Sequence, residues 1–335
     1  KSQISRLKSN VQKKSVRSKT PSVRSEGASV RSHQIILPIC FNFSRITEQK
    51  DEFQMQEFQL IILTLFNLRN NNWSNRTKIN ALILTESWLE NRFKLFENFC
   101  FLSVRNQSNT NFQWWVFFDT ETPLRFRERI SDLERRFDRF TALFVDGMDA
   151  FLPEVQQRMA AFHTAYIITS RLDNDDCLHR DYVEIVQQQF DHQTYLALDI
   201  IDGFTLQVQP EVRLGFRRHL YNPFITLIEE NNNPKSVWDR THSDWKKEKR
   251  LKRLKKERLW MSVIHQENKV NEYHGYGTPD FGDTLLDFGI RGAKKSELRE
   301  RLTHSRRLSL KYWCEAVLYN GFKDLKKSIG LYSYK

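Results

Sequence analysis

Tyr166-Ile167-Ile168-Thr169-Ser170-Arg171-Leu172-Asp173-Asn174-Asp175-Asp176-Cys177-Leu178 is the stretch on which the fold turns. Its first four residues are an apolar run that reads as a buried strand. The strand stops on three carboxylates within four residues. Asp181-Tyr182-Val183-Glu184 follows, with the acids spaced for a helix N-cap and its reciprocal partner. Carboxylates at the carboxyl end of a strand, just ahead of a helix, sit where open α/β sheets bind ligands. Like charges crowded there repel, so neutralising one is expected to leave the fold unharmed or slightly steadier, and a bound cation is the simplest relief. Oxygen ligands suit Mg²⁺ or Mn²⁺, whose shell is commonly completed by substrate phosphates. Asp and Asn also dominate turns, and the run alone fits a plain turn equally well.

Upstream, residues 60–66 read as a second buried strand, closed by Asn67-Leu68-Arg69. Leu89, Phe93, Phe96, Cys100 and Ser103 recur at steps of four and three. They mark the inner face of a helix and leave Glu86, Glu90, Arg92 and Lys94 mostly outward. Residues 112–118 form a strand stopping at Asp119, residues 125–140 a charged helix, and residues 142–145 a strand stopping at Asp146-Gly147. Pro153 suits the first turn of the next helix. Four strand–helix alternations imply a mostly parallel sheet flanked by helices. Downstream, Asp202-Gly203 reads as the turn of a hairpin, and residues 222–230 as a strand ending in acid. Residues 246–258, with only Leu251 and Leu254 apolar, read as a charged helical run.

The 335 residues include 25 Phe and 8 Trp, too much apolar bulk for a disordered chain. Four widely spaced cysteines make no Cys-x-x-Cys, so neither a zinc site nor a disulfide framework is implied, and a reducing cytoplasm fits. No apolar run approaches spanning length, and no apolar core follows the basic N-terminus. The net charge of +12 is uneven: residues 1–33 carry +8, 245–258 +7 and 291–335 +8, leaving −11 elsewhere. Residues 1–33, with Ser-Val-Arg-Ser at 15–18, 22–25 and 29–32, read as a disordered basic tail. A nucleic-acid binder more often spreads its basic residues over a folded face, so nucleic acid is not the expected partner.

Ser103-Val104-Arg105-Asn106-Gln107-Ser108, then Phe112, then a strand ending in Asp119, resembles the first half of GT-A nucleotide-sugar glycosyltransferases. Asp173-Asn174-Asp175-Asp176 resembles their Asp-x-Asp motif. Together with Phe66-Asn67-Leu68-Arg69, Arg92-Phe93-Lys94-Leu95-Phe96-Glu97, Arg171-Leu172-Asp173 and Trp260-Met261-Ser262-Val263-Ile264-His265-Gln266-Glu267-Asn268, the pattern is similar to the rhamnosyltransferase group within that fold. Asp119 stands alone where many relatives carry two acids.

The resemblance implies a GT-A, Rossmann-like α/β domain over residues 58–290, with its nucleotide-sugar half at about 58–180 and its acceptor half at about 181–290. The tail precedes it, and basic helices at 291–335 follow. It implies a metal-dependent, inverting hexosyltransferase that moves a sugar, rhamnose by the family's name, from a nucleoside-diphosphate sugar to a glycan or lipid-linked acceptor. Asp173, Asp175, Asp176 and His265 would serve the Mn²⁺ or Mg²⁺; Arg69, Asp119, Arg171, Asp173 and Asn268 would serve the donor. His265 lies in a segment read as an apolar helix, where a lone His is usually a core residue. The general base is expected between Glu229 and Asp244, with Asp239, His242 and Asp244 leading. The basic segments suit peripheral contact with an anionic membrane, at the inner face for a cytoplasmic protein. The competing functions are a polyanion- or RNA-binding protein and another metal-dependent phosphotransfer enzyme.

Overall fold

Leu60, Ile61, Ile62 and Leu63 are all fully buried, which places strand β1 (Phe58–Leu65) in the middle of the sheet. Alternate residues point to opposite faces, so Leu60 and Ile62 meet one helical layer while Ile61 and Leu63 meet the other. A run apolar on both faces is what a covered parallel strand requires. The computed structural model describes residues 56–70, 76, 82–268 and 271–332. The basic tail read at 1–33 lies outside them.

Strands β2 (Gln113–Asp119), β3 (Phe140–Val145) and β4 (Tyr166–Arg171) join β1 in the parallel order β3-β2-β1-β4. Helix α1 (Glu86–Leu95) runs through a π-helical turn at Phe96–Cys100 into α2 (Phe101–Arg105). Leu89, Phe93, Phe96, Cys100 and Ser103 are all buried, as their spacing predicts. Helix α3 (Leu124–Arg136) covers the same face. Helix α4 (Gly147–Ala160) packs on the opposite one. It begins ahead of Pro153, which lies inside it rather than in its first turn. Pro153 and Asp149 are exposed, so the carbonyl that Pro153 leaves unbonded can turn to water.

Beyond β4 the sheet changes character. Strands β5 (Cys177–Leu178), β6 (Tyr195–Gln207), β7 (Arg213–Arg218), β8 (Thr226–Glu230) and β9 (Leu251–Ile264) complete the order β3-β2-β1-β4-β8-β6-β9-β5, with β7 also on β6. β8 runs antiparallel to β4 and β6, while β9 runs parallel to β6. The α/β sheet with flanking helices is as expected, but it is parallel only in its first half and at β6–β9.

Three local expectations are corrected. Asp202-Gly203 is no hairpin turn: β6 runs straight through it. The Trp260 ring fills the space a side chain at 203 would need, and Asp202 accepts from Arg218 and from the Lys256 amide. The run at 246–258 is no helix: a short 3-10 turn at His242–Lys247 leads into β9, whose ladder with β6 overrides the helix-forming lysines. The Asp181–Glu184 capping box does not form; helix α5 (Tyr182–Gln187) follows Asp181, but Asp181 accepts from Ser108 and Glu184 from Asn109.

Helices α6 (Phe281–Asp287), α7 (Gly292–Glu300) and α8 (Arg306–Ser328) close the chain. Among the described residues no helix is long and apolar enough to cross a membrane. Buried Asp199 on β6 accepts from the Tyr221 amide and from Asn222, near Arg253, Lys323 and Lys327. Burial outweighs these favourable partners and raises its pKa from 3.8 to about 6. The native state therefore holds more protons than the unfolded chain between those values, and stability from this group falls as pH rises through them. Asp199→Asn is expected to gain on wild type by on the order of 3 kcal/mol between pH 4 and pH 7. Urea unfolding of both proteins at each pH checks it; a pH-independent difference would contradict it.

Candidate functional site

The strands β1 and β4 end side by side, and Asn174 ties their ends together. Its Nδ2 donates to the carbonyls of Leu65 at 2.9 Å and Phe66 at 2.8 Å. A cavity of about 300 Å³ opens there, lined among others by Trp88, Arg92, Arg171, Asp173, Asp175, Trp238 and Asn268.

Asp175 is the hub. Its Oδ2 accepts from Arg92 at 2.7 Å, His265 Nε2 at 2.8 Å and Asn268 Nδ2 at 3.1 Å. Burial alone would raise its pKa, but the Arg92 guanidinium and the His265 hydrogen bond outweigh it and hold the carboxyl well below its usual range. Asp175 is thus a paired, buried charge, and the repulsion expected among the three acids falls on Asp176 instead. His265 is not in a helix but directly follows β9, and its Nδ1 accepts from the Glu267 amide at 3.2 Å. That acceptance fixes the proton on Nε2, facing Asp175. Asn268 completes the turn by accepting from the His265 amide at 2.7 Å.

Asp173 turns to Arg171, 3.3 Å away, and the Arg171 guanidinium lies 3.8 Å over the Trp238 ring. Asp176 points elsewhere. Its Oδ1 accepts from the Val263 amide at 2.9 Å, while Oδ2 is buried without a partner. Burial, then the charges of Asp175 and Asp173, raise its pKa well above the carboxylate range. Asp176 thus pins the end of β9 two residues before His265, and is not among the residues lining the cavity.

A divalent cation fits part of the expected set. Among the described residues no three His, Cys, Asp or Glu side chains converge. Asp175 Oδ2 is the type of carboxylate oxygen that Mn²⁺ or Mg²⁺ prefers, with His265 Nε2 beside it, but it already accepts from Arg92 and a proton lies between it and His265.

Arg69 and Asp119 are brought together with each other rather than with the Asp173–Asp176 loop. The Arg69 amide donates to Asp119 at 3.0 Å and its Nε at 2.9 Å, while its other nitrogens reach Glu121 and Asp146. The hydrogen bond to Asp119 raises the Arg69 pKa.

The three candidate bases separate. Asp239 lines a second cavity with Glu229 and Arg240. Asp244 accepts from Thr241 at 2.7 Å and faces Lys247 at 3.3 Å. His242 feels the charges of both Arg171 and Asp173. Its Nδ1 lies 3.1 Å from the Tyr221 carbonyl, which can only accept, so Nδ1 carries the proton and Nε2 keeps its lone pair. Burial lowers its pKa below 6.5, which favours that neutral form.

Of the residues lining this site, Trp88 was not singled out from the sequence, and Arg92 entered only as part of the family pattern. Arg92 was placed on the outer face of α1, yet it is buried against Asp175 and lies 4.9 Å over the Trp88 ring. Its spacing, three after Leu89 and four before Phe96, was the available signal.

No curated protein matches the chain in sequence. Among solved structures, S. aureus TarS residues 1–349 is similar at 14% identity and TM-score 0.37, over 62% of this chain and 60% of that one. Less than two thirds of TarS 1–349 is therefore spanned in that match. Its complex with UDP-GlcNAc aligns at 11% identity and TM-score 0.38, over 78% and 72%. The inositol-1-phosphate CTP transferase from T. maritima aligns at 6% identity and TM-score 0.32, over 74% and 99%. At these scores the likenesses carry nothing on substrate. The family described as "Putative rhamnosyl transferase" matches residues 58–276. With most of the sheet, the Asp175 hub and His265 inside that match, the chain belongs to this family of glycosyltransferase-like proteins.

Proposed function

We propose that the chain transfers a sugar from a nucleoside-diphosphate donor to a hydroxyl of a glycan or lipid-linked acceptor, with inversion. The family's name points to rhamnose. One observation carries the donor class: Arg92 and Arg171 both line the cavity at the β1 and β4 ends, with the Trp88 and Trp238 rings against their guanidinium groups. Planar guanidinium groups held in this way match diphosphate oxygens in geometry and in charge.

Mn²⁺ or Mg²⁺ held by Asp175 and His265 would add charge stabilisation of the leaving diphosphate. The chain's own residues do the rest. Trp238 holds the Arg171 guanidinium flat, and Asn174 keeps the β1 and β4 ends in register. His242 Nε2 takes the proton of the acceptor hydroxyl as the anomeric carbon passes through an oxocarbenium-like state. Arg69 and Asp119 form a wall beside this site rather than direct donor ligands.

Thermal unfolding with UDP, GDP, CDP or dTDP, each with and without Mn²⁺, tests the donor class. At least one is expected to stabilise wild type, and Arg171→Met much less. Absence of any shift would refute the nucleotide site. His242→Ala is expected to keep that shift while turnover falls about 10²–10⁴-fold. In wild type the acid limb of the pH–rate profile should fall below 6.5, because the neutral His242 is the active form. Unchanged turnover in His242→Ala would place the base elsewhere.

A further inference from the structure

Helix α8 is attached by one face only. Asn320 is buried, donates to the Arg218 carbonyl at 3.2 Å and accepts from the Leu220 amide at 3.3 Å. Lys323 reaches the Leu220 carbonyl at 3.1 Å and Lys327 the Glu248 carbonyl at 3.0 Å. These contacts fix the opposite face outward. Outside these contacts Leu310 (63% exposed), Val317 (53%), Leu318 (73%) and Leu325 (55%) fall on one stripe at helical spacing, with Leu318 also at the edge of a cavity shared with Arg217, Arg218 and His219. Trp313 and Phe322 flank it, also exposed. An ordinary surface helix turns such a stripe inward; a contiguous outward one marks an interaction surface.

The charge selects the partner. Within α8 six Lys/Arg face two acids, and both acids are engaged, Glu315 by His274 and Lys311 and Asp324 by Arg253. Residues 291–335 as a whole carry +8. A second copy would bring the same excess of positive charge to the interface. An anionic bilayer offers apolar depth for the stripe and negative headgroups for Arg306, Arg307, Lys311 and Lys326. We propose that α8 docks the protein on an anionic lipid surface, lying in the interfacial plane with the stripe buried. None of these residues lines the donor cavity.

Cys314 lies on the exposed side of α8, whereas Cys100 and Cys177 are buried. A Cys40→Ser variant of the 335-residue chain labelled at Cys314 with an environment-sensitive dye therefore reports this face. Vesicles of phosphatidylcholine containing phosphatidylglycerol are expected to shift the emission to the blue and bind at least about tenfold tighter than phosphatidylcholine alone. Val317→Asp with Leu318→Asp, both at exposed positions, should abolish the shift. Sedimentation with vesicles without any change at Cys314 would mean that other basic segments bind and would overturn the proposal. So would failure to bind, or a dimer in light scattering that the double variant converts to monomer.

Discussion

Asp175→Asn is expected to lower stability by on the order of 3 kcal/mol and to slow turnover about a thousandfold. The stability loss follows from Arg92. Both partners are buried, so an amide at 175 leaves a guanidinium in the interior without its counter-charge. His265 and Asn268, which also donate to the lost carboxylate, would be left to compete for a single amide oxygen. A turn-forming Asp would tolerate Asn with little effect. The catalytic loss has a different origin. Asp175 aligns Arg92, His265 and Asn268 at the place where diphosphate charge develops, and it is one of two protein atoms offered to a cation. A double-mutant cycle with Arg92→Leu separates the two effects. Removing both charges should restore more than about 1 kcal/mol relative to Asp175→Asn alone, with no recovery of turnover. Additive stability losses would mean that the pair is not coupled as described. Recovery of turnover would mean that Asp175 acts through the fold alone.

Gly203→Ala is expected to destabilise the protein by about 3 kcal/mol, enough to lose much of its folded population. A Cβ there would sit 2.3 to 2.6 Å from three Trp260 ring atoms. The indole cannot yield easily: its Nε1 donates to the Ile200 carbonyl at 2.6 Å, and it stacks on Phe224 with centroids 4.8 Å apart. If Gly203 lay in an exposed hairpin turn, the same change would cost about 1 kcal/mol or less. Chemical denaturation distinguishes the two, and a Trp260→Leu background should shrink the penalty by opening the space. An equal penalty in both backgrounds would contradict the close approach.

Gly203 also shows why part of the fold could not be read from the chain. Asp-Gly is a strong local turn signal, but here the glycine answers to Trp260, 57 residues away in sequence, at a β6–β9 pairing that no local pattern announces. The same pairing turns lysine-rich 251–258 into strand, since its helix-forming residues gain a ladder partner only in the folded sheet. The strands β1, β2 and β4 were legible because they are buried on both faces and therefore continuously apolar. The site was legible in its residue types and less so in its directions. Asp173, Asp175 and Asp176 look alike in sequence, yet the partner of each decides its role. Arg171 faces Asp173, Arg92 holds Asp175, and the Val263 amide draws Asp176 away. Arg92 escaped because a charged residue on a helix is ordinarily turned to solvent, and only its buried counter-charge justifies the inward position. His265 and Asn268 share one motif in the sequence, and the structure brings both to Asp175.

Release of nucleoside diphosphate from a panel of nucleoside-diphosphate sugars, rhamnose donors included, tests the central claim most directly. The full chain is incubated with each donor in Mn²⁺, with hydroxyl acceptors present and absent, beside Asp175→Asn as the matched control. Wild type is expected to release the diphosphate from at least one donor and to do so faster with an acceptor that becomes glycosylated, while Asp175→Asn releases almost none. Release at equal rates by both proteins, or by neither from any donor, would contradict the assignment of the Asp175 cavity as a nucleotide-sugar transferase site.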